Sequence, residues 1–394
     1  MDMDRRQCLQ HAALAAGALG LGPARLITWA NQTAPEDQAM THAREPHRTI
    51  VFAAGADGYP CCRIPSLLAT PQGTLLAFCE GRQSRSDHAQ NDIILKRSPD
   101  GGQSWSAVAR VADAGTDSLN DPSAVVDRRT GRILLHYTRF AEGYHTDRAV
   151  PGYTDRHASR NLLTWSDDDG VTWAAPADLT RQVKRPDVRC AVVTCGIGIQ
   201  LRRGPQAGRL VHAVYQFGGP PGQEAYVCFS DDGGATWGVG GIAPTADGDQ
   251  AAEPQVVELA DGRLMLNART RSKRRRVARS TDGGATFGPL LSDPTLVEPA
   301  CQASILRYSD PLDDLPSRLL FSNPASQSER VCGTVRLSLD EGESWSAGRV
   351  LAEGSFAYSC LTVLGDGSIG CLYEADEYGR IVFGRFSLEW VAGG

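Results

Sequence analysis

The sequence has no apolar run long enough to cross a membrane. A transmembrane helix needs about 20 consecutive apolar residues, and the longest candidate, from Ala12 to Leu21, has about half that length. The sequence also lacks an excess of positive charge, since 40 lysines and arginines stand against 46 aspartates and glutamates, for a net charge of -6. Such a chain has no general attraction for nucleic acid or acidic lipid. We therefore expect no nucleic-acid partner and no stable membrane insertion.

Metal-binding patterns are absent as well. The eight histidines are scattered, and neither Cys61-Cys62 nor the pair of Cys190 and Cys195 has the spacing of a zinc site. The sequence nevertheless contains 11 cysteines. Several of them, such as Cys79 and Cys371, lie within apolar runs, where a free thiol behaves as a small hydrophobe. We predict mostly free, buried thiols, no metal and no cofactor, with disulfide pairing in an oxidising compartment as the alternative.

The first thirty residues are typical of an export signal. Arg5-Arg6 precedes the apolar run, and Pro23-Ala24 and polar residues follow it. The arginine pair favours the twin-arginine route, and another export signal or an ordinary N-terminal helix are the alternatives. We predict a signal over residues 1–30, a linker over 31–45, and a monomer located in the periplasm or outside the cell.

One eight-residue pattern, S-x-D-x-G-x-[ST]-[WF], occurs five times and is called the Asp box below. The copies are SPDGGQSW from Ser98, SDDDGVTW from Ser166, SDDGGATW from Ser230, STDGGATF from Ser280 and SLDEGESW from Ser338. They start 50 to 68 residues apart, which is the interval expected of one four-stranded sheet per repeat. The serine and aspartate side chains can bond nearby backbone N–H groups, and glycine permits positive φ. We therefore interpret the boxes as structural turns whose aromatic residue packs between sheets.

Apolar strand pairs lie between the boxes, and turn residues join the two strands of each pair. The six turns centre on residues 71–74, 129–132, 204–208, 260–263, 310–316 and 365–368. Helical periodicity is nearly absent. The sequence predicts an all-β, six-bladed β-propeller over residues 46–394, whose last strand pairs with a strand near Thr49 to Phe52.

The residues that flank each strand pair on the side away from its turn lie at one end of the sheet. This rule selects Arg63, Glu80, Arg82 and Asp87, Asp121 and Arg139, Glu253 and Arg269, Arg330, and Tyr358 and Glu374. Any one of these side chains could be an ordinary solvated or ion-paired residue. Several arginines at one end nevertheless suit a small carboxylate, because guanidinium groups bind carboxylates with paired hydrogen bonds and stay charged.

These residues and their surrounding segments resemble the exo-sialidase (neuraminidase) family. The resemblance runs from CRIPSLL at 62–68 through GRQSRSDHAQNDIILKRS, EPQVVELADGRLMLNAR, EPACQASILRYS and GSFAYS to CLYE at 371–374. It implies that Arg63, Arg269 and Arg330 bind the sialic acid carboxylate. It further implies that Tyr358 is the nucleophile, Glu253 the base that activates it, and Asp87 the general acid and base. Glu374 would orient Arg63, and Arg82 would be an outer substrate contact.

The family implies an exo-α-sialidase that hydrolyses terminal sialic acids of glycoconjugates and retains the anomeric configuration through a tyrosyl-enzyme intermediate. The expected partners are therefore sialylated glycans. A trans-sialidase, a hydrolase of a related keto-acid sugar and a non-catalytic propeller that binds acidic glycans are the alternatives.

Three departures from the family pattern put the substrate specificity in doubt. They are the segment RCAVVTCGIGIQ at 189–200, Asn-Asp-Pro at 120–122, and Cys360, which replaces an acid. We expect these positions to line or support the region that receives the N-acyl and glycerol groups. Separately, we interpret the basic run Lys273 to Arg276 as an exposed hairpin turn, with contact to a polyanion as the alternative.

Overall fold

The computed structural model describes residues 45–87, 89–218, 222–245 and 249–393. The predicted export signal and nearly all of the predicted linker lie outside these residues, so the predictions of export and of cellular location stay predictions. None of the helices in the described part of the chain is long and apolar enough to cross a membrane.

The described strands pair in chain order into six consecutive antiparallel units, and we interpret each unit as one blade. Unit 1 contains β2 (Cys61–Ala69), β3 (Leu75–Arg82), β4 (Asn91–Ser98) and β5 (Ala109–Ala112). Unit 2 contains β6 (Ser118–Val126), β7 (Ile133–Phe140), β8 (Arg160–Ser166) and β9 (Ala177–Asp178). Unit 3 contains β10 (Cys190–Val193), β12 (Ile199–Gln200), β13 (Leu210–Phe217), β14 (Gln223–Ser230) and β15 (Gly238–Val239). The short strand β11 (Gly196–Ile197) lies between β10 and β12 in the chain but pairs in parallel with β6 of unit 2.

The second half of the chain continues the same arrangement. Unit 4 contains β16 (Ala252–Glu258), β17 (Leu264–Arg269), β18 (Arg274–Ser280) and β19 (Leu291–Val297). Unit 5 contains β20 (Ser304–Ser309), β21 (Arg318–Pro324), β22 (Val331–Ser338) and the first part of β23 (Arg349–Val363). Unit 6 contains the rest of β23, β24 (Ile369–Ala375), β25 (Arg380–Phe386) and β1 (His47–Ala53). The short helices α1 (Thr180–Val183) and α2 (Leu388–Ala392) follow β9 and β25.

Closure of the ring depends on β1, which pairs with β25 so that Thr49 lies opposite Phe383 and Phe52 opposite Ile381. The predicted pairing of the last strand with residues near Thr49 to Phe52 is thus confirmed. All six predicted strand pairs also form. The first strands of neighbouring units contact one another, as β2 does with β6 and β16 does with β20.

The Asp boxes lie between the third strand of a unit and the segment that follows it. In the box from Ser166, Asp168 Oδ1 accepts hydrogen bonds from the Ser166 hydroxyl (2.8 Å) and the Thr172 amide (2.8 Å). The Thr172 hydroxyl donates to the other carboxylate oxygen at 2.6 Å, and the same pattern recurs at Asp232, Asp282 and Asp340. These bonds lower the pKa of Asp168 to about 2. The boxes are therefore self-contained turns, as predicted.

The box aromatics pack between neighbouring units. Trp105 of unit 1 meets Phe383 of unit 6 edge to face at 5.5 Å, and Trp173 of unit 2 meets Phe78 of unit 1 at 5.6 Å. Nine cysteines of the described chain are free and buried, so the prediction of mostly free thiols is confirmed for them.

The interpretation of Lys273 to Arg276 as an exposed turn is wrong for Arg274 to Arg276, which lie in a strand. The turn ends at Lys273, and β18 begins at Arg274. Arg275 is completely buried and forms an ion pair with Glu298 at 3.1 Å. Because successive side chains of a strand point to opposite faces, one of these arginines had to face the interior.

Candidate active site

The end of the molecule where the first strands begin is called the rim. Near the rim, the strand register shifts around Ile64, Asp121 and Glu253, which are β-bulges. All three residues have positive φ, at 62°, 58° and 39°, although none is glycine, and a proline follows each of them. A bulge bends its strand and changes the direction of the adjacent side chains. The strained conformation is typical of functional sites and costs of the order of 1–3 kcal/mol per residue.

Arg63 is held by Glu374, which comes from the other end of the chain. Glu374 is fully buried, and it accepts hydrogen bonds from Arg63 Nε (2.7 Å) and Nη2 (3.2 Å). It also accepts from the backbone amides of Ile64 (2.9 Å) and Tyr358 (3.1 Å). Burial raises the pKa of Glu374, but Arg63 and these bonds outweigh it and keep the pKa below its usual value. Glu374 is therefore an ionised residue that fixes Arg63 and the backbone of Tyr358, with no oxygen left for a substrate.

Tyr358, Glu253 and Arg269 form a compact cluster beside this pair. The Tyr358 hydroxyl donates to Glu253 Oε1. Arg269 Nη1 donates to both carboxylate oxygens of Glu253, at 2.7 and 2.6 Å, and to the Tyr358 hydroxyl at 3.0 Å. Glu253 lies near the start of β16, and Arg269 lies at the end of β17, the strand that pairs with it. Tyr358 lies in β23 of another unit.

The surroundings of Tyr358 keep its phenol neutral. Burial raises the pKa of Tyr358 well above its usual value, the Glu253 carboxylate raises it further, and Arg269 and Arg330 oppose these effects only in part. The phenol can therefore lose its proton only to an acceptor already in contact with it. Glu253 is such an acceptor.

The three arginines predicted to bind the substrate carboxylate, Arg63, Arg269 and Arg330, are called the clamp arginines, and they converge on Tyr358. The guanidinium carbon of Arg63 lies 5.5 Å from the centre of the Tyr358 ring, and that of Arg330 lies 5.3 Å from it. Arg330 is anchored by Ala300, whose carbonyl accepts from Nη2 at 3.2 Å. Arg63 Nη1 has no hydrogen-bond partner among the described residues, and the anchoring of Arg330 uses Nη1 and Nη2 and leaves Nε. These free donors can bind an anion above the tyrosine.

Asp87 lies on the exposed side of the same cluster. Its Oδ1 accepts from Arg82 Nη1 at 2.5 Å and lies 3.9 Å from Arg63 Nη1. Arg82 is itself almost completely buried and is held by Glu80, which accepts from Arg82 Nε at 2.6 Å. Partial burial raises the pKa of Asp87, but the charge and hydrogen bond of Arg82 outweigh it and leave the pKa below its usual value.

Comparison with known proteins decides the family. Residues 73–371 match the family described as a BNR repeat-like domain. An exo-alpha-sialidase of Aspergillus fumigatus is 31% identical over 413 residues, which cover 94% of this chain and 96% of that protein. The chain belongs to the sialidase family.

Two further relatives define the extent of the likeness. A sialidase of Micromonospora viridifaciens is 38% identical over 356 residues, covering 86% of this chain and 53% of that protein. The chain thus spans about half the length of this bacterial relative. The solved structure of the Hadza microbial sialidase Hz136 superposes with a TM-score of 0.78 at 32% identity, covering 86% of this chain and 68% of that one. This likeness and the order of the units identify the fold as the β-propeller of the sialidases.

Within this sialidase fold, the structure brings together all eight predicted site residues. Arg139, which the strand-end rule also selects, is not part of the cluster, because it pairs with Asp117 at 2.7 Å. Three residues that the predicted roles did not include lie near the site. They are Asp121, whose amide donates to Glu80 at 2.8 Å, Tyr215, whose pKa is raised by burial and by the Asp121 and Glu253 carboxylates, and Tyr378, whose ring centre lies 4.1 Å from the Arg63 guanidinium carbon. Asp121 had a signal in the sequence, since the strand-end rule selects it. Tyr215 lies inside a strand of alternating residues, and Tyr378 lies in a turn, so the sequence contains no signal for a site residue at either position.

Two of the three departures from the family pattern lie beneath the site. Cys195 belongs to the buried cluster that contains Ile64 and Tyr358, so the segment 189–200 packs beneath Tyr358. Of the two roles expected of Cys360, lining or supporting the substrate region, its complete burial leaves the supporting one. Its thiol is fully buried and accepts a hydrogen bond from the Leu67 amide at 3.2 Å, which joins units 6 and 1.

Proposed function

We propose that the chain is an exo-α-sialidase that hydrolyses terminal sialic acids of glycoconjugates through a tyrosyl-enzyme intermediate, with retention of configuration. The observation that carries the proposal is the Tyr358 hydroxyl, which contacts both Glu253 and Arg269 while Arg63 and Arg330 flank its ring. Such a site fits a substrate whose carboxylate lies next to a reactive sugar carbon.

The arginines would bind the substrate first. Sialic acid carries its carboxylate on the anomeric carbon, so an anion clamped by Arg63, Arg269 and Arg330 places that carbon next to Tyr358. Burial of the arginines lowers their pKa values, but their acidic neighbours raise the pKa values of Arg63 and Arg269 more strongly, so both stay charged. Bidentate bonds from guanidinium groups also fix the orientation of the carboxylate.

A neutral nucleophile suits this substrate, because the substrate carboxylate would repel an anionic one. As the Tyr358 oxygen forms a bond to the anomeric carbon, its proton passes to Glu253 and the glycosidic bond breaks. Asp87 gives its proton to the departing glycosidic oxygen. In the second step Asp87 takes a proton from water, the water oxygen bonds to the anomeric carbon, and the phenolate leaves and recovers the proton from Glu253. Two inversions give net retention.

Asp87 has to be protonated for the first step, whereas the bond to Arg82 favours its ionised form. The lowered pKa of Asp87 therefore favours the ionised form, which suits the second step, in which Asp87 would act as a base. Asp87 lies in the exposed segment between β3 and β4, and its side chain is 57% exposed. A substrate carboxylate between Asp87 and the arginines would weaken the hold of these cations on Asp87 and raise its pKa.

Tyr358→Phe tests the proposal. The variant lacks the oxygen that forms the covalent bond, so we expect hydrolysis of an α-linked sialoside to fall at least about 1,000-fold, a loss typical of removing a nucleophile. The matched control is Tyr137→Phe, which makes the same change in another buried tyrosine outside the site.

The assay should separate free sialic acid from transferred product, because the same residues could serve a trans-sialidase. Full activity of Tyr358→Phe with unchanged thermal stability would refute the assignment of the nucleophile. Binding of the sialoside by the parent protein without any turnover would favour the non-catalytic alternative.

A further inference from the structure

Tyr378 occupies an unusual turn at the rim. The turn comprises Asp376, Glu377 and Tyr378, whose φ values are 52°, 51° and 71°, and no glycine is present among them. A left-handed conformation is unfavourable for a non-glycine residue, because its Cβ comes too close to the following carbonyl oxygen. Three such residues in succession need support from the surrounding structure, because each adds its own strain. The Ser355 hydroxyl supplies part of it by accepting from the Glu377 amide at 2.8 Å.

The backbone after the turn is fixed as well. The Gly379 amide donates to the Asp376 carbonyl at 2.9 Å, and the Ala54 amide donates to the Gly379 carbonyl at 2.9 Å. Asp376 also forms an ion pair with Arg380 at 3.2 Å. The strained turn therefore holds the Tyr378 side chain in one place.

That place is between two of the clamp arginines. The guanidinium carbon of Arg63 lies 4.1 Å from the centre of the Tyr378 ring, closer than it lies to the ring of Tyr358. Arg330 Nη1 donates to the Tyr378 hydroxyl at 3.2 Å. A cation over an aromatic face is attracted to it, so the ring restricts the guanidinium plane of Arg63. Tyr378 is partly exposed, whereas Glu374 on the other side of Arg63 is buried.

The hydroxyl of Tyr378 has a proton to donate. A phenol both accepts and donates, and an arginine can only donate, so the bond with Arg330 uses the oxygen and leaves the proton. The described residues supply no acceptor for this proton. An anion that bridges Arg63 and Arg330 would supply one within reach.

We propose that Tyr378 is a fourth ligand of the substrate carboxylate. Its ring positions Arg63, its oxygen accepts from Arg330, and its hydroxyl donates to the carboxylate that the arginines bind. The neutral phenol thus adds a donor without adding a fourth positive charge. This proposal rests on the proposed function, since the ligand is the carboxylate of a sialic acid.

The test compares Tyr378→Phe with the parent protein. The variant keeps the ring and loses the hydroxyl. We expect the Kd of the 2,3-unsaturated glycal of N-acetylneuraminic acid, measured by calorimetry, to rise about 10-fold, the loss expected for one hydrogen bond to a charged group. KM for a sialoside should rise by a similar factor while kcat changes by less than about threefold, because a contact made equally in the ground and transition states affects KM alone.

Tyr153→Phe is the matched control. It removes the hydroxyl of another partly buried tyrosine, which donates to the Lys184 carbonyl at 3.1 Å, and it should leave Kd and KM unchanged. An unchanged Kd for Tyr378→Phe would overturn the proposal. So would parallel losses of kcat, affinity and thermal stability, which would indicate a structural role only. If the parent protein itself fails to bind the glycal, the proposed function fails first and this proposal fails with it.

Discussion

The two ends of the propeller differ in how far apart in the sequence their contacting residues lie. At one end lie the Asp boxes, in which each aspartate is satisfied by residues at most four positions away. At the other end lies the rim, where Arg63 and Glu374 are 311 positions apart and Tyr358 and Glu253 are 105 apart. The box end repeats one local arrangement of side chains and hydrogen bonds, whereas each unit contributes a different set of side chains to the rim cluster.

The difference shows where fold and chemistry are encoded. A box needs only its own eight residues and a neighbouring unit to pack against, so it can recur wherever a unit is required. The rim needs a closed ring, because its cluster forms only when units 1, 4, 5 and 6 meet. The bulges at Ile64 and Glu253 occur only at the rim end of their strands, so the strain is concentrated where the side chains converge.

The largest expected difference between the two ends is in catalysis. Asp87→Asn removes the proposed general acid, so kcat/KM for a sialoside whose leaving group is a sugar hydroxyl should fall about 100- to 10,000-fold. An activated aryl sialoside needs little protonation, and its kcat/KM should fall far less. Asp313→Asn, which removes an ion pair with Arg202 at the box end, is the control and should leave both values unchanged. Equal losses for the two substrates would contradict the role of Asp87 as general acid.

The parent protein should show the titration of Asp87 in the pH dependence of its proposed activity. Arg82 keeps the pKa of Asp87 below its usual value when no substrate is bound, so ionisation of Asp87 begins at a lower pH than for an ordinary aspartate. The protonated fraction that the first step needs then falls further as the pH rises. We therefore expect kcat/KM for the sugar sialoside to decline toward neutral and alkaline pH, more steeply than for the aryl sialoside.

Much of the fold could be predicted because its signals are local. Turn residues and alternating strands predicted the six strand pairs, and the same strand ends predicted which side chains reach the rim. The roles of Tyr358 and Glu253 came from the family resemblance, since a strand-end rule alone also selects Arg139, which pairs elsewhere.

What the sequence did not predict depends on tertiary contacts. Arg275 belongs to a basic run that looks solvated, yet it is buried because Glu298, Asn267 and the Cys301 carbonyl satisfy its donors. Tyr378 depends on a left-handed turn without glycine, for which no sequence signal exists. The first strand of unit 3 is divided into β10, β11 and β12, and β11 pairs with β6 of the preceding unit.

A change at the box end should affect stability and spare catalysis. Gly234 has φ of 93°, and a Cβ there would lie 2.2 Å from a Leu134 methyl group of the neighbouring unit. Gly234→Ala should therefore lower the free energy of unfolding by about 2–4 kcal/mol, from the left-handed backbone and the overpacking together. Gly131→Ala is the control, because Gly131 has φ of 78° and nothing within 4 Å of the added Cβ. Chemical denaturation measures both, and a loss of kcat in folded Gly234→Ala would contradict the separation of the two ends.

The smallest expected effect concerns the joint between units 2 and 3, away from both ends. His136 and His212 stack there with ring centres 4.6 Å apart, and both are buried. Burial lowers the pKa of His212 to about 3, so the unfolded chain, with a histidine pKa near its usual value, binds more protons as the pH falls below about 6.5. Stability should thus decline with falling pH, by about 2 kcal/mol between pH 7 and pH 5 for this one group.

Denaturation of His212→Phe at the two pH values tests this expectation. The aromatic ring is kept and the titrating group is lost, so the decline between pH 7 and pH 5 should become smaller than in the parent protein. His47→Gln changes an exposed histidine of β1 and should leave the decline as it is. An equal decline in the parent protein and in His212→Phe would mean that acid acts on stability through other groups.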